Sequence, residues 1–252
     1  MYIMADKQEF LSTPTAAPLA VHHIDWRSTA IPEYDGRLAC TIDGVLAPSE
    51  CDELLKLAEA SVQADEPWQP ALIGLTPGTQ IASRPGYRES DRIIWCDQAV
   101  TDKIWARCMS VDGSEALFAT VPQQYGKVRQ GEWRFARPNE RMSFLRYGPG
   151  QYFKPHCDGP YYYDADDTEY QTHYTLQLYL CESREDSPDG VLGGATSFLA
   201  KDKKRRVDVH PKAGRVLIFQ HEGLLHEGAE VREGIKYTMR TDVLYKWIRD
   251  QQ

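Results

Sequence analysis

In the second half of the chain, His156 and Asp158 form an HxD pair directly after the run YGPGQYFKP. In a strand or its extended exit, residues two apart point to the same side, so this imidazole and carboxylate can bind one ion. Alone the pair carries little information, since about half an HxD pair is expected by chance in a chain of this composition. A further histidine gives it weight. RVLIF reads as a buried strand, after which the chain runs QHEGLLHEGAEV. That sets His226 in a glycine-flanked segment, where its side chain can turn back into a barrel. Two histidines and one carboxylate on one face of a metal leave adjacent coordination positions open, the ligand set suited to non-heme iron(II). HEGLLHE is not a zinc-protease helix. His221 and His226 are five residues apart rather than four, so on a helix their side chains would diverge by about 140°. His221 reads as a surface residue or as one standing behind the ligands. His22, His23, His173 and His210 have no partner at useful spacing and read as structural.

The elements that must position these residues lie mostly after residue 141. MSFLRYG, YTLQLYL, ATSFL, RVDV, RVLIF and YTMRTDVLY are short runs rich in β-branched and aromatic residues, separated by Gly, Pro and Asp. Many short strands at this spacing predict an antiparallel sandwich or barrel rather than βαβ units. Upstream, LACTIDGVL alternates like a strand. Ser49 is placed to cap a helix whose Cys51, Leu54, Leu55, Ala58 and Val62 share one face. A second helix is predicted near 100–109, where Val100, Ile104, Trp105 and Cys108 recur at helical spacing. Residues 65–92 read as a long surface loop. The expected organisation is a mobile N-terminal segment over 1–35, a helical and loop support region over 36–140 of the same domain, and a β-core over 141–248. The fold class is mainly β with flanking helices.

At this point the sequence resembles the prolyl 4-hydroxylase-like branch of the 2-oxoglutarate/Fe(II) oxygenases. The likeness covers about residues 141–246 and rests on an ordered series: RYGPGQYFKPHCD, YTLQLYL, GGATSF, PKAGRVLIF, HEGAEV, GIKYTMRTD. It implies a double-stranded β-helix (jelly roll) core, with Fe(II), 2-oxoglutarate and O2 as the working set. By the same resemblance His156, Asp158 and His226 match the iron ligands. Tyr147 and Tyr179 match tyrosines that help hold 2-oxoglutarate, and Lys236 matches the basic residue that pairs with its distal carboxylate. A buried dianion needs a cation. Arg240, on the same strand face as Lys236, offers a bidentate fork and is the alternative anchor. In GGATSF the resemblance turns Thr196 or Phe198 toward the cofactor, whereas the glycines alone read as a turn. A carboxylate at position 158 goes with hydroxylation rather than halogenation.

The implied reaction is hydroxylation of a peptide residue or small molecule, with release of succinate and CO2. Two other readings use the same residues: a catalytically silent jelly-roll binding module, and a cupin-type metalloenzyme with no cosubstrate. GPYYYDADDTEY at 159–170 is either a lid over the site or a solvated hairpin. Arg88 and Arg92 in RPGYRESDR read first as surface ion-pair partners, with contact to an anionic substrate as the alternative.

Composition narrows the rest. The chain has 252 residues, of which 42% are hydrophobic and 26% charged, and a net charge of −8. That suits one substantial domain and argues against nucleic-acid or membrane-surface partners. Six cysteines without a CxxC pair, a charged N-terminus and the lack of a glycosylation sequon predict a cytoplasmic or nuclear protein. KDKKRR at 201–206 reads as a solvated turn rather than a nuclear signal. Oligomeric state is not legible.

Overall fold

The structure, a computed structural model, describes residues 10–12, 15, 18–76, 79–82, 86–121 and 130–249. Two facing antiparallel sheets form the core. The larger, of 11 strands, has at its centre Lys236–Ile248, paired on one side with Thr168–Tyr179 and on the other with Arg141–Tyr147 and then Glu132–Pro138. Beyond Thr168–Tyr179 come Val216–Gln220, Ala39–Ile42 and Val21–His23; beyond Arg141–Tyr147 come Asp91–Cys96 and Gln69–Pro70. The smaller sheet runs Phe153–His156, His226–Gly228, Thr196–Leu199 and Arg206–Val209. This is the expected jelly roll.

Strand alternation assigns each face of the large sheet a separate job. Leu176, Leu178, Val216, Ile218, Met142, Phe144, Met239 and Ile93 point outward, into one cluster with the helices Pro48–Ala60 and Gln98–Met109. Their alternates Thr175, Gln177, Ser143, Leu145, Tyr147, Lys236, Thr238 and Arg240 point inward and line the cavity between the sheets.

The helices form where their apolar faces predict them, with different ends. Ser49 is not the cap of the first: Ala47 is, and Pro48 occupies the first turn, where its fixed φ suits a helix start. Glu50 Oε2 accepts from the Ala47 N–H at 2.8 Å, and both Glu50 oxygens accept from Arg107 of the second helix at 2.7 and 2.8 Å. One carboxylate thus serves a helix start and a helix–helix tie. The second helix begins at Gln98, earlier than its apolar spacing indicates, because Asp97 accepts from Val100 N and caps it.

Three sequence expectations change. Residues 65–92 are not one loop, since Leu72–Thr76 and Thr79–Ala82 pair as a hairpin and Asp91 opens a sheet strand. GPYYYDADDTEY forms the hairpin of Tyr162–Ala165 with the start of Thr168–Tyr179; Asp166 and Asp167 turn at φ 48° and 56°, and Tyr163 stacks on Tyr170 at 5.0 Å. The exposed Tyr161 and Tyr162 do not line the cavity, so the lid reading gives way to the hairpin.

The third change concerns residues 1–35. The expectation for residues 1–9, 13, 14, 16 and 17 lies outside the described residues. From Val21 onward the segment is built into the fold. Trp26, Ile31 and Tyr34 are buried. Trp26 Nε1 donates to Arg37 O at 2.6 Å, and the Tyr34 hydroxyl donates to Leu199 O at 2.6 Å. Trp26 also meets Phe198 edge-on at 5.3 Å. These residues lack periodicity because they sit in two short 3-10 turns, each side chain filling its own gap. Burial of a tryptophan at 3% exposure makes Trp26→Ala cost about 3 kcal/mol or more of folding stability. Urea unfolding of the variant checks this; a change under about 0.5 kcal/mol would mean the segment is not part of the cooperative fold.

Candidate metal and cosubstrate site

The site begins with strand register. His156 and His226 are direct cross-strand partners in the small sheet, and Phe198 pairs with His226 from the other side. The two imidazole rings are 4.4 Å apart between centroids. Asp158, just past its strand, completes the group: one donor atom from each of the three residues lies within 4.8 Å of the others. His156 Nε2 is 3.7 Å from Asp158 Oδ1, and His226 Nε2 is 3.8 Å from Asp158 Oδ2.

Hydrogen bonds orient the donors. Nδ1 of His156 lies 2.8 Å from Lys154 O, and Nδ1 of His226 lies 3.0 Å from Leu224 O. A carbonyl can only accept, so each ring carries its proton on Nδ1 and turns the Nε2 lone pair inward. Burial and the neighbouring His226 push the His156 pKa down to about 3, and burial lowers that of His226. Both imidazoles are therefore neutral. Burial alone would raise the Asp158 carboxyl, but the Arg240 guanidinium beside it outweighs this and holds the group ionised. Two neutral imidazoles and one carboxylate, close together and aimed at one point, fit an iron(II) ion.

Around this group a second set of contacts fixes Asp158. The Thr175 hydroxyl donates to Oδ2 at 2.5 Å, and Arg240 Nη2 lies 3.1 Å from Oδ1. The same Nη2 is 3.1 Å from Asp242 Oδ1, and His221 Nε2 lies 3.4 Å from that oxygen. Sequence reading left His221 between the surface and the rear of the ligands; it is buried, behind Asp242. Aromatic rings close the rest: Phe153 stacks on His156 at 3.8 Å, and Phe219 meets His226 edge-on at 4.8 Å.

The cavity, of about 230 Å³, opens from this group toward Lys236. Lys236 pairs in register with Tyr147 and is only 3% exposed. Its Nζ stands 5.3 Å from the Tyr147 ring and 5.8 Å from the Tyr179 ring. Among the described residues no carboxylate lies within ion-pair distance of it, and burial lowers its pKa to about 8. Arg240 is the opposite case, its Nη2 being engaged by Asp158 and Asp242. Of these two cations, Arg240 is engaged by carboxylates, and Lys236, among the described residues, is not.

Thr196 faces this end, accepting from Gln177 Nε2 and the Tyr179 hydroxyl at 2.7 Å each. Phe198 does not; it packs in the core with Trp26 and Phe219. Gly194, at φ +69°, lies so close to Lys236 Cδ that a Cβ there would stand 3.1 Å from it. Sequence reasoning missed Thr175, Gln177, Ser143, Phe153 and Arg141 as lining residues. Strand parity gave a signal for all but Phe153, had the inward face been known. Arg88 and Arg92, expected as surface ion-pair partners, also line the cavity.

Comparison with known proteins agrees with this geometry. The 2OG-Fe(II) oxygenase superfamily model matches residues 142–249. Prolyl 4-hydroxylase 1 of Arabidopsis thaliana is 25% identical over 225 residues, covering 82% of this chain and 66% of the relative, just under two thirds of its length. Similar solved structures include the viral collagen prolyl hydroxylase of Paramecium Bursaria Chlorella virus-1 in complex with 2OG (24% identity, TM-score 0.50, 83% and 97% of the two chains). Another is a Trichoplax adhaerens prolyl hydroxylase in complex with a peptide fragment of the hypoxia inducible factor oxygen degradation domain (15% identity, TM-score 0.53, 87% of each chain). At these identities the structural likenesses speak for the fold. The matched core, the Arabidopsis relative and the His-Asp-His group together support a prolyl 4-hydroxylase-like 2-oxoglutarate/Fe(II) oxygenase.

Proposed function

We propose that this chain hydroxylates a peptidyl proline, with His156, Asp158 and His226 as the iron ligands and Lys236 as the anchor of 2-oxoglutarate. The observation that carries the reading is the pairing of two features in one cavity. A converging His-Asp-His group stands at one end, and a buried lysine with no carboxylate partner among the described residues stands at the other. Proline as the target is supported by the relatives, whose names are those of prolyl hydroxylases.

Bound iron, 2-oxoglutarate and O2 supply oxidative decarboxylation to succinate and CO2, coupled to insertion of one oxygen atom into a substrate C–H bond. The chain's residues do the positioning. Lys236 neutralises the distal carboxylate, Tyr147 lines the cavity beside it, and Tyr179, behind the wall, holds the Thr196 hydroxyl in place. Thr175 and Arg240 keep Asp158 ionised and fixed in orientation. The backbone carbonyls of Lys154 and Leu224 hold the imidazole lone pairs inward. Phe153 and Phe219 exclude water from the histidines, which strengthens every electrostatic contact inside.

Anaerobic addition of Fe(II) and 2-oxoglutarate is expected to give a visible charge-transfer band that Asp158→Ala abolishes. Succinate formation is expected to fall by about a hundredfold or more in His226→Ala. A wild type that binds iron without the band, or turns over a substrate without 2-oxoglutarate, would favour the cosubstrate-free metalloenzyme. Iron bound well below one equivalent would favour the silent binding module.

Lys236 gives a pH test with a definite sign. Its protonated form is the one that binds the dianion, and in the ligand-free protein the proton leaves near pH 8. Affinity for 2-oxoglutarate should hold below that pH and weaken above it, by up to about tenfold per pH unit. Lys236→Arg should flatten the profile, and Lys236→Ala should weaken binding by about tenfold or more. Anaerobic titrations between pH 7 and pH 10 measure all three. A profile that stays flat in the wild type removes Lys236 as the anchor.

A further inference from the structure

One wall of the cavity carries a group that the iron and 2-oxoglutarate contacts leave over. Arg88, Arg92 and Arg141 all line it. Arg141 and Leu145 share the inward face of their strand, and Arg92 pairs in register with Leu145. Arg88 enters from the other side, its guanidinium 4.5 Å above the Phe153 ring, which itself stacks on His156. Arg88 and Arg92 also reach a common acceptor, Leu72 O, at 3.5 and 3.3 Å. The three are half-buried, and burial together with Arg88 and Arg141 lowers the pKa of Arg92 to about 10. They are close enough to feel one another.

The ordinary explanation of surface arginines is solvation or ion pairing. It does not fit Arg141, which has no carboxylate within ion-pair distance among the described residues and faces a cavity. The acids in the cavity lining are Asp158 and Glu227. Asp158 is engaged by Arg240 and is the proposed iron ligand. Glu227 is raised by burial and answers to Arg206 and Lys154. The doubly charged iron and the dianion would cancel each other, so loading the site leaves the charge of Arg141 unanswered by any described carboxylate. Crowded like charges next to a low-dielectric cavity are costly unless an anion joins them. The site stays cationic in a chain whose net charge is −8, a local field that selects for negative ligands.

We propose that Arg88, Arg92 and Arg141 form a carboxylate-recognition wall, so that the peptide hydroxylated here presents an acidic residue beside the reacting proline. This deepens the peptidyl-proline reading and rests on it. Guanidinium forks match carboxylates in two-point geometry, and the wall begins one ring away from His156, which sets the acid next to the oxidised carbon.

The test uses the protein loaded with Fe(II) and 2-oxoglutarate under anaerobic conditions, with binding followed by calorimetry. The probes are short peptides that differ only in carrying Glu, Gln or Lys beside a single proline, together with N-acetylglutamate as a free acid. The Glu peptide is expected to bind about tenfold more tightly than the Gln peptide, and the Lys peptide least tightly. Arg141→Gln and Arg92→Gln should each cut the advantage to under about threefold. Arg141→Lys should restore part of it, and rising salt should shrink it. Affinity for 2-oxoglutarate itself should change by less than about twofold in these variants.

Equal binding of the three peptides, no binding of any probe, or an acid preference that survives both glutamine variants would overturn the wall. So would loss of 2-oxoglutarate affinity, which would give the arginines to the cosubstrate. Binding confined to N-acetylglutamate would overturn the peptide as the source of the acid. Admitting O2 separates the two readings: a Glu peptide that binds but gains no oxygen sinks the proline hydroxylation and leaves the wall standing.

Discussion

His156 and His226 face each other across two antiparallel strands of the small sheet, and the rest of the architecture serves that register. A slip of one residue in either strand would turn one imidazole to the opposite face and dissolve the donor group. Register is pinned from both sides. Phe198 pairs with His226 from the next strand and is locked by Trp26 and Phe219. Phe153 stacks on His156 from the end of its own strand. The N-terminal residues from Val21 onward belong to this support. Tyr34 bonds the Leu199 carbonyl, tying the segment to the strand that carries Phe198.

Charge is arranged in sequence along the cavity. Asp158 is a buried carboxylate stabilised by the Thr175 hydroxyl and by Arg240. Arg240 is stabilised in turn by Asp242, backed by His221. Each of these charges thus has a counterpart within the protein, and the contacts fix the donor geometry. Lys236 breaks the series. It is buried among tyrosine rings with its ammonium unanswered by any described carboxylate, a cost that the proposed dianion would offset.

Much of this was legible in the sequence. The strand-like runs after residue 141, the two helices and the three proposed ligands emerge from spacing and from the order of six motifs. Resemblance supplied Tyr147, Tyr179 and Lys236, which composition and periodicity could not distinguish from ordinary core and edge residues. What stayed hidden depends on long-range pairing. Arg92 and Arg141 belong to strands whose parity is visible, but which parity faces the cavity is set by helices far away in the chain. Arg240 looked like a second anchor because its pairing with Asp158 follows from neighbouring strands, not from its own. The burial of Trp26, Ile31 and Tyr34 gave no periodic signal, because 3-10 turns present single side chains rather than a face. Ser49 was misread as a cap because a serine before an apolar helix is the commoner device, while here Pro48 and Glu50 do that work.

The two faces of the large sheet also divide mutational risk. Along each central strand, one set of alternating residues holds the helices and the other set lines the cavity. A substitution at an outward position such as Leu176 or Met239 therefore threatens folding. One at an inward position such as Gln177, Ser143 or Thr238 alters the shape and polarity presented to a ligand, with little packing to disturb. Inward positions that hold neither Asp158 nor the proposed cosubstrate can then change without threatening the fold. An architecture with that property can be retuned to new substrates while keeping its metal chemistry, because variation and constraint fall on alternate residues of the same strands.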